Sequence, residues 1–254
     1  MNIRIARFPS FPASIIRDKG RSAFTLVELL TVIAIIGILA AIIIPTVGRV
    51  RTQARLVQTI SNLRQSGVAI MLFTDDHRGE LPGRNDGTSI GEGSGGLNTG
   101  VKASFTNSEV AYLAIHLAPY VSAGGDSGLR RVPCLTDPLS ASKRTGTTEW
   151  VLNRQIQRLN YPGTTRNIRP FGLQSVPPER YEALTGALTV SRVWAMMQVD
   201  QKMREDSAII EAGTVQNTPA EPVAGSYRLA LFFDWSVGKI PVGTNLDQQI
   251  DNRQ

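Results

Sequence analysis

The pattern of apolar and polar positions separates one continuous apolar stretch from a remainder of amphipathic and alternating segments. Residues 24–47 contain one charged side chain, Glu28. A helix of that length can cross a hydrocarbon core of roughly 30 Å at about 1.5 Å per residue. We therefore predict that residues 24–47 form a transmembrane helix, with a kink at Pro45 near its outer end.

Helical periodicity continues beyond the apolar stretch. Apolar residues recur at steps of three and four, whereas Asn62 and most of the basic residues fall on other faces. We predict one helix from about Thr25 to about Phe73, in which residues 48–78 are an amphipathic continuation. The face expected to be buried comprises Val50, Ala54, Val57, Ile60, Leu63, Gly67 and Ile70.

The remaining residues, 79–254, have the patterns of short helices and strands. Ser108–Val121 suits a short helix, and residues 149–152 and 188–194 are rich in β-branched and aromatic side chains typical of strands. Residues 227–242 read as a strand, a turn and a returning strand. We therefore expect an α+β fold, with the outer half of a long N-terminal helix packed on a small antiparallel sheet.

The positive charge is concentrated at the N-terminus. The chain has a formal net charge of +6, and residues 1–23 contribute +4 of it, from five basic residues and Asp18. A basic segment directly before an apolar helix is typical of the cytoplasmic side of a membrane. We interpret residues 1–23 as a leader, and the small charge of the remainder gives no reason to expect a nucleic-acid partner.

The junction of these two segments carries an ordered motif. From Arg21 the sequence reads Arg-Ser-Ala-Phe-Thr-Leu-Val-Glu and continues as an apolar run to Pro45. It resembles the N-terminal processing and methylation motif of type IV pilins and type II secretion pseudopilins. The resemblance implies that prepilin peptidase cuts between Ala23 and Phe24 and methylates the new amine of Phe24.

The resemblance also implies a pilin-like fold, a location and a set of partners. The protein would be a structural subunit, single-pass in the inner membrane. Its C-terminal domain would lie in the periplasm or in an extracytoplasmic filament. The implied partners are prepilin peptidase, other pilin-like subunits in a homo- or hetero-filament, membrane lipid, and the inner-membrane assembly platform with its ATPase. No cofactor is implied.

Glu28 is the candidate assembly residue. A carboxylate within hydrocarbon costs a few kcal/mol unless it finds a partner. After leader removal the α-amine of Phe24 would be the nearest positive charge, and in a stack of parallel helices a neighbouring subunit could present it to Glu28. We interpret Glu28 as an assembly register; the alternative is that it is solvated at the level of the lipid headgroups.

Residue types that support catalysis or metal binding are sparse. The chain has two histidines, His77 and His116, and one cysteine, Cys134, without ligand spacing between them. We predict no catalytic residue and no metal site, and we expect Cys134 to be a small buried hydrophobe.

The last strand carries a weaker resemblance. Residues 227–237 are similar to the terminal strand of pseudopilin-like proteins, which often reads Phe-x-Asp-Gly-His/Ser-Val. In this chain Trp235 occupies the place of the glycine.

Two other functions fit parts of the sequence. A single-span, membrane-anchored periplasmic enzyme or polymer-binding protein would keep residues 1–23 or be cut beyond the apolar run. A competence-type pilin that touches DNA would use the basic middle of the chain, Arg130–Arg169, where no interleaved aromatic residues indicate base stacking.

Overall fold

The computed structural model describes residues 24–83, 97–106, 112–125, 128–156, 168–172, 176–207, 210 and 212–248. The leader at residues 1–23 and the first residues of the helix predicted from Ser108 lie outside these ranges. The chain divides into two compact units, Met1–Arg49 and Val50–Gln254.

The predicted long helix is present as α1, Leu26–Asp76. It continues through Pro45 and ends three residues later than predicted. At its end the N–H of Gly79 donates to the carbonyl of Thr74 at 2.8 Å, and Arg78 adopts a φ of 57°. This is the Schellman arrangement, in which a left-handed residue turns the chain away and satisfies a terminal carbonyl.

The second unit is built around an antiparallel sheet of five strands in the order β1-β4-β5-β6-β7, beside a two-stranded sheet of β2 and β3. Their bounds are β1 Gly100–Lys102, β2 Ser104–Phe105, β3 Arg130–Arg131, β4 Thr148–Leu152, β5 Trp194–Gln198, β6 Tyr227–Phe232 and β7 Val237–Pro241. Short helices connect them: α2 Leu113–Leu117, α3 Tyr181–Ala187, α4 Met203–Asp206 and α5 Ala212–Val215. The α+β fold predicted from the sequence is confirmed.

The sheet has an apolar core on each face. On one face, Trp150 and Leu229 join a cluster that includes Leu63 and Ile70 of α1. On the other face, Val151 and Met197 belong to a second cluster, which residues of α4 and α5 complete. Alternate residues of the central strands therefore point into different cores, and both faces are buried.

Coverage on both faces explains one error of the sequence prediction. A strand was expected at residues 188–194, but Val190–Arg192 is a turn of 3-10 helix and the strand begins at Trp194. All five residues of β5 are buried. A strand buried on both sides lacks the half-buried alternation of an exposed strand, and β5 also contains no β-branched residue.

The buried face of α1 also differs from the prediction. Leu63, Gly67 and Ile70 are buried as expected, but Val50 and Val57 are each 65 % exposed. The buried part of α1 begins at Thr59 and includes four polar residues: Thr59, Asn62, Ser66 and Thr74. Asn62 therefore lies on the buried face of the helix, whereas the prediction placed it on another face.

The hairpin predicted at residues 227–242 is confirmed as β6 and β7. Trp235 lies in its turn with a φ of 65°, a left-handed conformation that glycine adopts without strain. Its indole stacks on the ring of Tyr181 with centroids 5.3 Å apart. The position where the resemblance suggested a glycine thus has a backbone suited to glycine and a side chain that packs against α3.

Candidate functional site

The first turn of α1 contains a reciprocal pair of hydrogen bonds. The backbone N–H and the hydroxyl of Thr25 donate to Oε2 of Glu28 at 2.9 and 2.7 Å. The N–H of Glu28 donates to the hydroxyl oxygen of Thr25 at 3.3 Å. This is a capping box, in which two residues three positions apart satisfy each other's terminal N–H groups.

The capping box gives Glu28 a local role that our sequence interpretation missed. The signal was present as Thr-x-x-Glu immediately before an apolar helix. Both bonds from Thr25 end on Oε2, and within the described part of the chain no other donor contacts the carboxylate. The Oε1 oxygen therefore remains able to accept a bond from an external ammonium group while the cap is intact.

The cleavage and methylation positions lie directly before this cap. Phe24 is described and 79 % exposed, whereas Ala23 lies outside the described residues. Cleavage between Ala23 and Phe24 would leave the α-amine one residue before Thr25.

The apolar part of α1 has no covering within its own unit. Its large side chains are exposed, as Leu26 at 78 % and Ile44 at 72 % illustrate. Leaving one such side chain in water forgoes roughly 1.5–3 kcal/mol. The helix is long and apolar enough to cross a membrane, so lipid or the helices of other subunits can cover it.

Pro45 removes one backbone donor from this helix, because its nitrogen carries no hydrogen. One position later, the hydroxyl of Thr46 donates to the carbonyls of Ile42 and Ile43, at 3.2 and 2.8 Å. These bonds satisfy the Thr46 hydroxyl, whereas the carbonyl that loses its donor at Pro45 is that of Ala41. The kink at Pro45 stays a prediction.

A family model that describes the prokaryotic N-terminal methylation motif matches residues 18–44. This stretch is the prepilin-type cleavage and methylation signature of type IV pilins and pseudopilins. No curated protein and no solved structure matches the chain significantly. The methylation motif covers the cap, Glu28 and most of the apolar helix, and through it the chain is similar to type IV pilins and pseudopilins.

Beyond the methylation motif, three polar side chains of α1 bind other segments of the second unit. The hydroxyl of Thr59 donates to Oδ1 of Asp137 at 2.9 Å. The Asn62 amide donates to the carbonyl of Thr136 at 2.8 Å. The Ser66 hydroxyl donates to the carbonyl of Cys134 at 2.9 Å. We call these three bonds the helix clasp, and each contributes roughly 0.5–1.5 kcal/mol.

The helix clasp leads to a buried polar network. Asp137 also accepts a bond of 3.0 Å from the side-chain amide of Gln198, and its own N–H donates to Glu149 at 2.8 Å. Arg144 forms an ion pair with Glu149. Burial raises the pKa of both carboxyl groups, and their hydrogen bonds partly offset this rise.

A second buried cluster holds the sheet to α4. Arg228 of β6 is fully buried and binds Asp200 through two bonds, at 2.5 and 2.9 Å. Its third bond, at 2.6 Å, goes to Asp206. Such a cluster is costly to break from one side, because the remaining charges stay buried without a partner.

Cys134 is buried, as predicted, and burial raises the pKa of its thiol. The described residues contain no group of three or more histidine, cysteine or acidic side chains arranged to hold a metal ion.

Proposed function

We propose that this protein is a pseudopilin or pilin-like structural subunit of a type II secretion or type IV pilus filament, and not an enzyme. Prepilin peptidase removes residues 1–23 and methylates Phe24. The subunit then assembles through its N-terminal helix, which stays in the inner membrane until a filament forms. Its C-terminal unit lies on the periplasmic side or in the extracytoplasmic filament.

The observation that carries this proposal is the methylation motif continued by an exposed apolar helix. Residues 24–74 contain one carboxylate, Glu28. In our proposal its Oε1 oxygen accepts a hydrogen bond from the methylated amine of a neighbouring Phe24, while Thr25 donates to Oε2. The pairing then fixes the axial register between subunits, and Pro45 supplies a local weakness in the helix.

The test is mass spectrometry of the N-terminus of protein extracted from membranes of a host that contains prepilin peptidase. We expect a chain that starts at N-methylated Phe24. An intact Met1 or an N-terminus beyond Ile44 would contradict the proposal and favour an ordinary membrane anchor. A catalytically inactive peptidase in the same host is the control, and it should leave residues 1–23 attached.

A further inference from the structure

Three arginines follow soon after the apolar segment: Arg49, Arg51 and Arg55. The last apolar residue before them is Val47. All three lie on α1, and all three are exposed. We call them the basic band. They are separate from the methylation motif, which ends at residue 44.

The basic band has no acidic side chain near it on its own helix. From residue 29 to residue 74 the sequence contains no acidic side chain. Within the described ranges, none of the three arginines forms an ion pair. Their positive charge is therefore not neutralised by the described part of the chain.

The position of the band matches a lipid headgroup layer. That layer is about 5–7 Å thick on each side of the hydrocarbon, which corresponds to about three to five residues of helix. Arg49 and Arg51 fall within this distance of Val47. Side chains lean towards the N-terminus of their helix, so Arg55 leans back towards the same layer.

Arginine also suits the chemistry of this layer. The planar guanidinium offers five N–H donors and binds phosphate oxygens in pairs, and its aliphatic stem tolerates the apolar boundary. A phosphodiester with a net negative charge supplies the counter-charge that residues 29–74 of the helix lack. An acidic protein surface would offer carboxylates, but the band begins at the membrane boundary, where headgroups are already present.

We propose that Arg49, Arg51 and Arg55 bind the phosphodiester groups of anionic phospholipids in the leaflet at the outer end of the apolar segment. The proposal rests on the membrane insertion of residues 24–47 that the proposed function includes. Binding sets the depth of the helix and opposes its withdrawal from the bilayer, so a subunit must release these lipids when it leaves the membrane.

The experiment uses the full-length chain reconstituted in phosphatidylcholine vesicles that contain a trace of spin-labelled lipid. Electron spin resonance reports the preference of the protein for phosphatidylglycerol over phosphatidylcholine. In the triple variant Arg49→Gln, Arg51→Gln and Arg55→Gln, we expect this preference to fall at least about threefold. The basic residues of the leader contribute equally to the lipid preference of every variant. The difference in preference between the wild type and the triple variant therefore reports on the basic band alone.

Arg64→Gln is the matched control. Arg64 is exposed on the same helix and forms no ion pair in the described part of the chain, but it lies nine residues beyond Arg55. We expect it to leave the lipid preference unchanged. A triple Arg→Lys variant should retain only part of the preference, because lysine keeps the charge but not the paired N–H donors. Raising the salt concentration to about 0.5 M should weaken the preference of the wild type.

Three results would overturn the inference: an unchanged preference in the triple Gln variant, an equal loss in Arg64→Gln, or no lipid preference in the wild type. In the last case, the triple variant is also cross-linked. If it forms fewer dimers than the wild type, the basic band binds a second copy of the chain and not lipid. Flotation of the protein with the vesicles is measured in parallel. If the protein does not float, the proposed membrane anchor is wrong. If it floats but shows no lipid preference, only the inference about the basic band is wrong.

Discussion

The side-chain amide of Gln198 donates a bond of 3.0 Å to Oδ2 of Asp137. The orientation of this amide is fixed, because its oxygen accepts a bond of 2.9 Å from the N–H of Leu229, which can only donate. Asp137 must therefore present an acceptor to Gln198. Its other oxygen accepts bonds from the Thr59 hydroxyl and from the N–H of Leu139.

We predict that Asp137→Asn destabilises the second unit although it removes a buried titratable group. An asparagine that keeps its oxygen towards Thr59 turns its NH2 group towards the NH2 group of Gln198, and two donors then face each other. Leaving buried polar groups unsatisfied costs about 1–3 kcal/mol. Urea unfolding followed by circular dichroism measures the loss.

The matched variant for this prediction is Asp137→Asn combined with Gln198→Glu. The introduced glutamate accepts from both the introduced asparagine amide and the N–H of Leu229, so the double variant should recover most of the lost stability. Gln198→Glu alone should destabilise, because it places two carboxylates together. If the double variant loses as much stability as the two single variants together, the orientation of the Gln198 amide does not determine the stability of this site.

A second prediction separates the two roles of Glu28. Glu28→Leu removes the carboxylate within the apolar segment, so membrane insertion should be unchanged or improved. If Glu28 pairs with a neighbouring Phe24 amine, the variant leaves that amine unpaired, at a cost of about 3–5 kcal/mol for a buried pair. Cross-linking in membranes should then show monomer accumulating while leader cleavage continues.

Thr25→Ala is the control for helix capping. It removes the hydroxyl that binds Glu28 but keeps the carboxylate, and loss of such a cap costs about 1 kcal/mol. We expect this variant, once its leader cleavage has been verified, to retain cross-linked ladders. Normal ladders from Glu28→Leu would refute the register role, and equal losses in both variants would assign the effect to the cap.

A third prediction concerns solubility. A chain that lacks residues 1–48 should fold as a soluble protein, because the residues of α1 that cover the sheet lie between Thr59 and Thr74. A chain that lacks only residues 1–23 should require detergent, since it keeps the exposed apolar helix. Size-exclusion chromatography with and without detergent decides this. Aggregation of the shorter chain would show that the membrane boundary is placed incorrectly.

A fourth prediction concerns pH. Burial raises the pKa of Asp137 and Glu149 above their unfolded values of about 3.9 and 4.3. Their contribution to stability is therefore fully present below the unfolded pKa and is lost as the pH rises through the folded pKa. The free energy of unfolding of residues 49–254 should accordingly contain a component that falls from about pH 4 upwards.

Glu149→Gln isolates this component. The variant removes one of the two titrating groups. The free energy of unfolding of the wild type minus that of the variant should therefore fall as the pH rises above about 4. A difference that is constant across the range would show that the pKa of Glu149 is not raised.

A fifth prediction concerns the turn of the β6–β7 hairpin. Trp235→Gly and Trp235→Ala both lose the stacking on Tyr181, but only the glycine removes the strain of the positive φ. The glycine variant should be more stable than the alanine variant by about 1 kcal/mol. Thermal unfolding compares the two, and equal stability would indicate that the turn relaxes to another conformation.

The long helix and the C-terminal hairpin were predictable, because both arise from local patterns that tertiary contacts did not override. The capping box was equally local and could have been found from Thr-x-x-Glu. The buried face of α1 could not be found in this way. Thr59, Asn62 and Ser66 are polar, and their burial depends on acceptors in residues 134–137, about seventy positions away in the chain.

The helix clasp also has a mechanical consequence. Its bonds follow one another at steps of three and four residues along α1, and their acceptors run in the opposite direction from Asp137 to Cys134. A tension applied along the helix axis loads all three bonds at once, in shear, and does not open them one after another. Such a joint resists a pull along α1 far better than a pull that peels the helix sideways from the sheet.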